Sequence, residues 1–175
     1  MSDANVAITL RPFEPGDFQR LIAWVPTPEA HGQWCASFFP YPLTGERLQR
    51  YLDSAKEPNA RAIFTVLLPS GEAAGHIEIS HIWPYLSSRL SRVLVDPARR
   101  RQGIGRAMVG RAVAYSFDTH RVERIELGVD ADNAAAIGCY GRVGFQHVKT
   151  WPKAMSAGPK VIDVYWMSLS RETRG

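Results

Sequence analysis

No apolar run in this chain of 175 residues approaches the ~18 residues that a membrane-spanning helix needs. Cysteine is scarce. Cys35 and Cys139 stand alone, with no CxxC pair and no Cys/His ligand spacing, so neither a disulfide scaffold nor a metal-binding module is expected. A cytoplasmic location and no metal follow as expectations. Met1 to Leu10 has no cationic start followed by a long apolar core, so no secretory signal is expected. Gly-Lys occurs nowhere, which removes the nucleotide P-loop. Internal repeats and low-complexity tracts are absent too. With 45% hydrophobic residues, 10% aromatics and a net charge of only +4, the chain can build a core and disorder is excluded as its main state. The length suits one domain spanning 1–175.

What is present reads as alternating strands and helices. Val6 to Leu10 alternates as a strand and stops at Pro12. Asp17 opens a helix carrying Phe18, Leu21, Ile22 and Val25, closed by Pro26. Residues 26–43, rich in Pro, Gly and aromatics, read as a loop or a short irregular helix. A second helix covers roughly 44–55 and breaks at Glu57-Pro58-Asn59. Arg61 to Leu68 and Ala74 to Ile82 form a hairpin around Pro69-Ser70-Gly71-Glu72. Leu90 to Val95 is a further strand, halted by Asp96-Pro97. From Gly103 a helix runs to about Phe117 with Ile104, Ala107, Met108, Ala112 and Tyr115 on its core stripe. Val122 to Val129 is a strand, and Asp132-Asn133 caps a helix to about Arg142, stopped by Gly144. Phe145 to Trp151 and Val161 to Leu169 are the last strands, with Pro152 to Lys160 as a loop between them. The order gives a mixed α/β sheet of about seven strands flanked by about four helices.

The charge is unevenly placed. Arg89, Arg92, Arg99, Arg100, Arg101, Arg106 and Arg111 face a single acid, Asp96, within one short stretch. Such a run is either a solvated face or a site for an anion, nucleic acid among them. Its setting decides. An apolar strand, Val93-Leu94-Val95, leads into a basic turn, then Gly103 and Gly105, then a helix. A helix N-terminus leaves about four amides unpaired and carries roughly half a positive charge, and glycines let an anion approach the backbone. This is a phosphate cradle. It is not the dinucleotide fingerprint, because the glycine after Gly105 is Gly110, too far along for G-x-G-x-x-G.

The spacing R-x-x-G-x-G (Arg100, Gly103, Gly105) behind an apolar strand resembles the acyl-CoA-binding motif of the GNAT superfamily of N-acetyltransferases. Asn133, Ala136, Ile137, Tyr140, Gly144 and Phe145 resemble that family's N-x-x-A-[IL]-x-x-Y-x-x-x-G-F pattern, and Leu10-Arg11-Pro12 with Asp17 is similar to its usual start. The resemblance covers residues 8–169, with its motif core within 89–151. It implies the GNAT acyl-CoA N-acyltransferase fold, a mostly antiparallel twisted sheet. It further implies acetyl transfer from acetyl-CoA, as co-substrate, to a primary amine of a small molecule or a protein N-terminus, by direct attack. Cofactor contacts implied by the resemblance are Val93, Leu94 and Val95 to pantetheine, Arg100 and the turn Arg101, Gln102, Gly103, Ile104, Gly105 and Arg106 to the pyrophosphate, and Asn133, Ala136 and Tyr140 to the cofactor arm. Tyr140 is implied as the group that protonates the leaving thiolate. A homodimer is compatible with this reading; membrane and nucleic-acid partners are not expected.

Other readings of the same residues stand beside these. Asn133 is also a preferred helix cap. Tyr140 sits on a helical stripe with Asn133, Ala136 and Ile137, where a tyrosine is commonly core. On the acceptor side, His76, Glu78 and Ser80 alternate onto one strand face. Glu78 is either a carboxylate that meets the acceptor ammonium or a solvated strand residue. Trp34, Phe38, Phe39 and Tyr41 are either pocket wall or packing. Rival functions are a catalytically silent acyl-CoA-binding regulatory module and a nucleic-acid-binding protein.

Overall fold

Seven strands form one sheet in the order β1-β2-β3-β4-β5-β7-β6. The computed structural model describes residues 6–56, 61–82 and 85–172. The strands are β1 (Thr9–Pro12), β2 (Arg61–Leu67), β3 (Ala73–Ile82), β4 (Ser87–Val95), β5 (Arg124–Asp130), β6 (Gln146–Ala157) and β7 (Lys160–Ser170). The helices are α1 (Phe18–Trp24), α2 (Pro28–Cys35), α3 (Gly45–Ser54), α4 (Ile104–His120) and α5 (Ala134–Val143). All strand pairs are antiparallel except β4 with β5. The break expected at Glu57-Pro58-Asn59 lies outside the described residues, as do Met1 to Asn5.

Alternation along β3 sorts the two cores. Ile77 and Ile79 face one side, with Met108, Val109, Ala112, Val113 and Phe117 of α4. The α4 stripe is therefore wider than Ile104, Ala107, Met108, Ala112 and Tyr115 suggest, because Val113 and Phe117 are buried while Ala107 and Tyr115 lie at its margin. The opposite side carries Phe13, Phe18, Leu21, Trp34, Leu48 and Tyr51 from the first three helices and the chain leading into them. Asp17 locks this layer to the sheet. It accepts two bonds from Arg11 at 2.7 and 2.9 Å and one from Thr65 at 2.8 Å. Burial raises its pKa, but these bonds outweigh it and hold the carboxyl below its usual range.

Two stretches depart from the sequence reading. Residues 28–35 form a regular helix, α2, capped by Thr27, whose hydroxyl accepts from the Ala30 amide at 3.2 Å, and opened by Pro28. The span Pro152 to Lys160 is not a loop. β6 continues to Ala157, and the hairpin closes at a tight turn where Gly158 has φ +60°. Pro152 survives inside a strand because β6 is the sheet edge and its register breaks between Trp151 and Met155. At that break Lys153 adopts φ +47° and its amide donates to Asp163 at 2.8 Å. The hairpin turn rests on α2. A Cβ on Gly32 would lie 2.2 Å from the Gly158 nitrogen, and one on Gly158 would lie 2.4 Å from the Pro28 oxygen.

Candidate active site

The sheet opens in its middle. β4 and β5 pair only from Ser87 with Arg124 to Arg89 with Glu126. Beyond that point they diverge. A cavity of about 520 Å³ fills the opening and is walled by β4, β5, the start of α5, α2 and the β6–β7 hairpin.

Where β4 ends at Val95, the first turn of α4 lies beside it and α5: a Cβ on Gly105 would come within 3.5 Å of Val95 Cγ2 and Cys139 Sγ. Gly103 takes φ +81° and Arg101 φ +62°, turning the chain sharply after β4. The amides of Gly103, Ile104 and Gly105 have no acceptor among the described residues, and the first bond of the helix runs from the Ala107 amide to the Gly103 carbonyl at 3.1 Å. Arg100, Arg101, Gln102 and Arg106 are exposed around these amides, while the Ile104 side chain is core. Ile104 can therefore offer only its amide. Val93 borders the cavity, Val95 packs towards α4, and Leu94 turns its side chain into the opposite core. The residues present fit a pyrophosphate: free amides, a helix N-terminus and cationic neighbours converge.

The basic run is thus not one surface. Arg89 and Arg92 border the cavity. Arg99 pairs with Glu72 at 3.0 Å and Asp96 at 3.6 Å. Arg100, Arg101 and Arg106 flank the free amides. That division does not suit a nucleic-acid face.

Asn133, Ala136 and Tyr140 all border the cavity from α5. Asn133 is a cap in fact: its Oδ1 accepts from the Ala136 amide at 3.2 Å. Tyr140 packs against Phe145, ring centroids 6.1 Å apart, and its hydroxyl has no hydrogen-bond partner among the described residues. Burial, with a smaller push from Cys139, raises its pKa above the ordinary phenol range. Burial also raises the Cys139 thiol and takes Cys35 to about 11, so neither is a ready thiolate.

The far end of the opening holds a group that sequence alternation hides. Strict alternation from Leu90, which is core, would send Arg92 into the α4 side. Instead Arg92 sits at a bulge, with φ +50°, and the register slips between His76 and Glu78. The slip turns Arg92 onto the face of Glu78. Its Nε donates to Glu78 Oε2 at 2.6 Å and its Nη2 donates to Oε1. The Tyr51 hydroxyl of α3 donates to Oε2 as well. Trp34 Nε1 donates to the Arg92 carbonyl at 3.0 Å, which pins the bulge from α2. Burial works against the Arg92 charge, but its bonds to Glu78 and the nearby Tyr51 prevail and raise its pKa.

Glu78 is therefore neither a solvated strand residue nor an open carboxylate. It is 1% exposed and both oxygens are occupied. Its oxygens face Arg92 and Tyr51. Of the aromatics expected here, Trp34 and Phe38 border the cavity, whereas Phe39 is core and Tyr41 is outside it. The clue to Arg92 in the sequence is an arginine directly before the apolar run Val93-Leu94-Val95.

Beside this pair, His76 is 1% exposed and neither ring nitrogen has a partner. It stands edge-on to Phe13 at 4.9 Å and to Trp34 at 5.7 Å. Burial, aided by Arg92 and opposed by Asp17, lowers its pKa to about 3. The folded ring therefore stays neutral where an unfolded one, with a pKa near 6.5, takes a proton. Stability from this group is full above pH ~6.5 and drains as pH falls towards 3. His76→Met should flatten that slope. Between pH 6.5 and 5 the wild type should lose on the order of 2 kcal/mol more than the variant, read by urea unfolding at each pH. Equal losses would show that His76 is not held neutral.

The comparisons with known proteins agree with this geometry. The model of the Acetyltransferase (GNAT) family matches residues 29–145, more than half of the chain. The chain belongs to the GNAT family. The GNAT match spans the cavity walls from α2 to α5 and both motifs. Among curated relatives, the chain is 31% identical over 148 residues to a mycothiol acetyltransferase of Salinispora tropica, covering 79% of this chain and 44% of that protein. It therefore spans less than half the length of that relative. Over 106 residues it is 28% identical to the L-amino acid N-acetyltransferase of Escherichia coli, covering 56% of this chain and 62% of that protein. Among solved structures, the spermidine N-acetyltransferase of Vibrio cholerae in complex with CoA and spermine superposes with a TM-score of 0.82 at 20% identity, over 95% of this chain and 96% of that one. The GNAT fold is thereby shown. Among the described residues no helix is long and apolar enough to cross a membrane.

Proposed function

We propose that this GNAT chain transfers an acetyl group from acetyl-CoA to a primary amine by direct attack. The observation that carries the reading is the opening between β4 and β5, which runs from the free amides of α4 past Tyr140 to the cavity end at Arg92. An extended thioester chain laid in that opening can take backbone hydrogen bonds from Val93, Leu94 and Val95, with its phosphates on Gly103, Ile104 and Gly105 and its arm along Asn133 and Ala136. Acetyl-CoA supplies the activated acyl group. The amine nitrogen forms the new C–N bond, the C–S bond breaks, and the sulfur takes the electron pair. Tyr140, kept protonated by burial, gives its proton to that thiolate. The amine's own proton leaves to water, because Glu78 is fully engaged and no histidine borders the cavity. The family shared with the mycothiol, L-amino acid and spermidine acetyltransferases supports the reaction class.

The test combines a melting scan with acetyl-CoA and a free-thiol assay over an amine panel. A ligand that binds only the folded state raises the melting temperature by mass action. A rise with millimolar acetyl-CoA, and thiol release that depends on an amine, are expected. A rise without thiol release for any amine would favour the silent acyl-CoA-binding module, and no rise would remove the cofactor assignment.

A further inference from the structure

The acceptor end of the cavity is cationic by construction. Strand register places Arg61 opposite Ser80 and Ser80 opposite Arg89, one row across β2, β3 and β4. The next row places Glu78 opposite Ser91, with the bulged Arg92 beside it. All six residues border the same cavity. Three guanidinium groups therefore share one carboxylate, and that carboxylate is already spent. Glu78 takes Arg92 on both oxygens, while Arg61 stands off at 4.0 Å. Arg92 and Arg61 flank the Phe38 ring, at 4.0 and 5.6 Å from its centroid.

Arg89 has no carboxylate within ion-pair distance among the described residues. It is exposed to the cavity and lies 4.9 Å over the Trp166 ring. Room for that indole comes from Gly128, where a Cβ would fall 3.2 Å from the ring. Glu126, across from Arg89 on β5, is engaged by Arg124 at 3.6 Å and does not border the cavity. The cavity's other carboxylate, Asp130, is four residues further along β5, roughly 13 Å away, and pairs with Lys160 at 3.6 Å.

We infer that the acceptor is a small amine that also bears a carboxylate, with Arg89 and Arg61 as the residues that select it. The inference rests on the acetyl-transfer reading above. A guanidinium fork matches a carboxylate in two-point geometry, and Arg89 lies over the Trp166 ring with no carboxylate of its own among the described residues. A polycationic amine would bring further positive charge to an end that already has an excess. The volume argues for small size, since about 520 Å³ must also receive the acyl end of the thioester. The attack is unchanged: the acceptor's nitrogen forms the C–N bond, its ammonium proton goes to water, and its carboxylate stays intact on the arginines.

The experiment uses the full chain at saturating acetyl-CoA. The standard amino acids, their carboxamides and spermidine serve as acceptors, and thiol release is followed. At least one amino acid should exceed its own carboxamide in kcat/KM by about tenfold or more, and spermidine should trail both. The carboxamide amine is the less basic one, so a preference for the acid cannot come from amine protonation. Arg89→Gln and Arg61→Gln should each raise the KM of that amino acid by about tenfold while moving the carboxamide value little. Both variants should keep the acetyl-CoA melting shift, which also shows that they fold. A preference for spermidine, equal acid and carboxamide rates, or a KM that ignores both substitutions overturns the inference. Acetyl-CoA binding with no acetylation of any carboxylate-bearing amine overturns it too. A missing acetyl-CoA shift, or a shift with no thiol release for any amine, would take the acetyl-transfer reading down with it, whereas acetylation confined to amines without a carboxylate overturns this inference alone.

Discussion

Replacing Tyr140 with phenylalanine is expected to lower turnover by about 10- to 1,000-fold and to leave acetyl-CoA affinity unchanged. The substitution removes one oxygen and nothing else. The ring stays packed on Phe145, and no hydrogen bond is lost, because the hydroxyl has no partner among the described residues. A purely structural tyrosine with an unsatisfied hydroxyl would lose little on becoming phenylalanine. The two roles therefore separate cleanly. Burial keeps the phenol protonated through the neutral range, which is the form a thiolate needs as proton donor. Single-turnover kinetics with acetyl-CoA bound in advance would isolate the chemical step. Wild-type rates in that measurement would return Tyr140 to a packing role.

Gly105→Glu should abolish acetyl-CoA binding, with an affinity loss on the order of 100-fold or more, about 2.7 kcal/mol. The fold should survive it. A Cβ at Gly105 would meet Cys139 Sγ and Val95 Cγ2 at 3.5 Å, ordinary contact distance, and the backbone there is helical. A carboxylate in the first turn of a helix is favourable to the helix itself. The damage falls on the site, where the new charge competes with phosphate for the amides of Gly103 and Ile104 and repels what remains. Gly105→Ala is the companion variant and should keep most of the melting shift. A full shift in Gly105→Glu would mean that the phosphates bind elsewhere.

The two halves of the site differed in how far they could be read from sequence. The proposed cofactor half is local. Gly103, the arginines around it and the Asn133 cap act through chain conformation within a few residues, Gly103 turning and Asn133 capping as their types favour. The acceptor half is not local. Tyr51 meets Glu78 across 27 residues of chain, and Arg92 reaches it only because a bulge reverses the alternation that periodicity assumes. Arg61 and Arg89 become neighbours through the register of three strands. The helix over 28–35 is hidden in the sequence by the prolines and aromatics that flank it within 26–43, whose local preferences are weak beside the fit of Gly32 on the hairpin turn. A proline argues against a strand, so Pro152 reads as the end of β6 in the sequence, and its edge position and bulge are what make it admissible.

The break between β4 and β5 has a consequence for how such a protein can diverge. In the proposed reading, thioester recognition falls to main-chain groups of β4 and the α4 turn, which every residue except proline supplies alike. Most substitutions there leave the pattern of donors and acceptors untouched. At the other end, the proposed selection rests on a few side chains set in rows on the sheet, Arg61 and Arg89 foremost. A single codon change at either position rewrites the charge offered to the acceptor and disturbs neither the sheet nor the cradle. One half of the site is thus buffered against drift, and the other can acquire a new substrate in one or two steps.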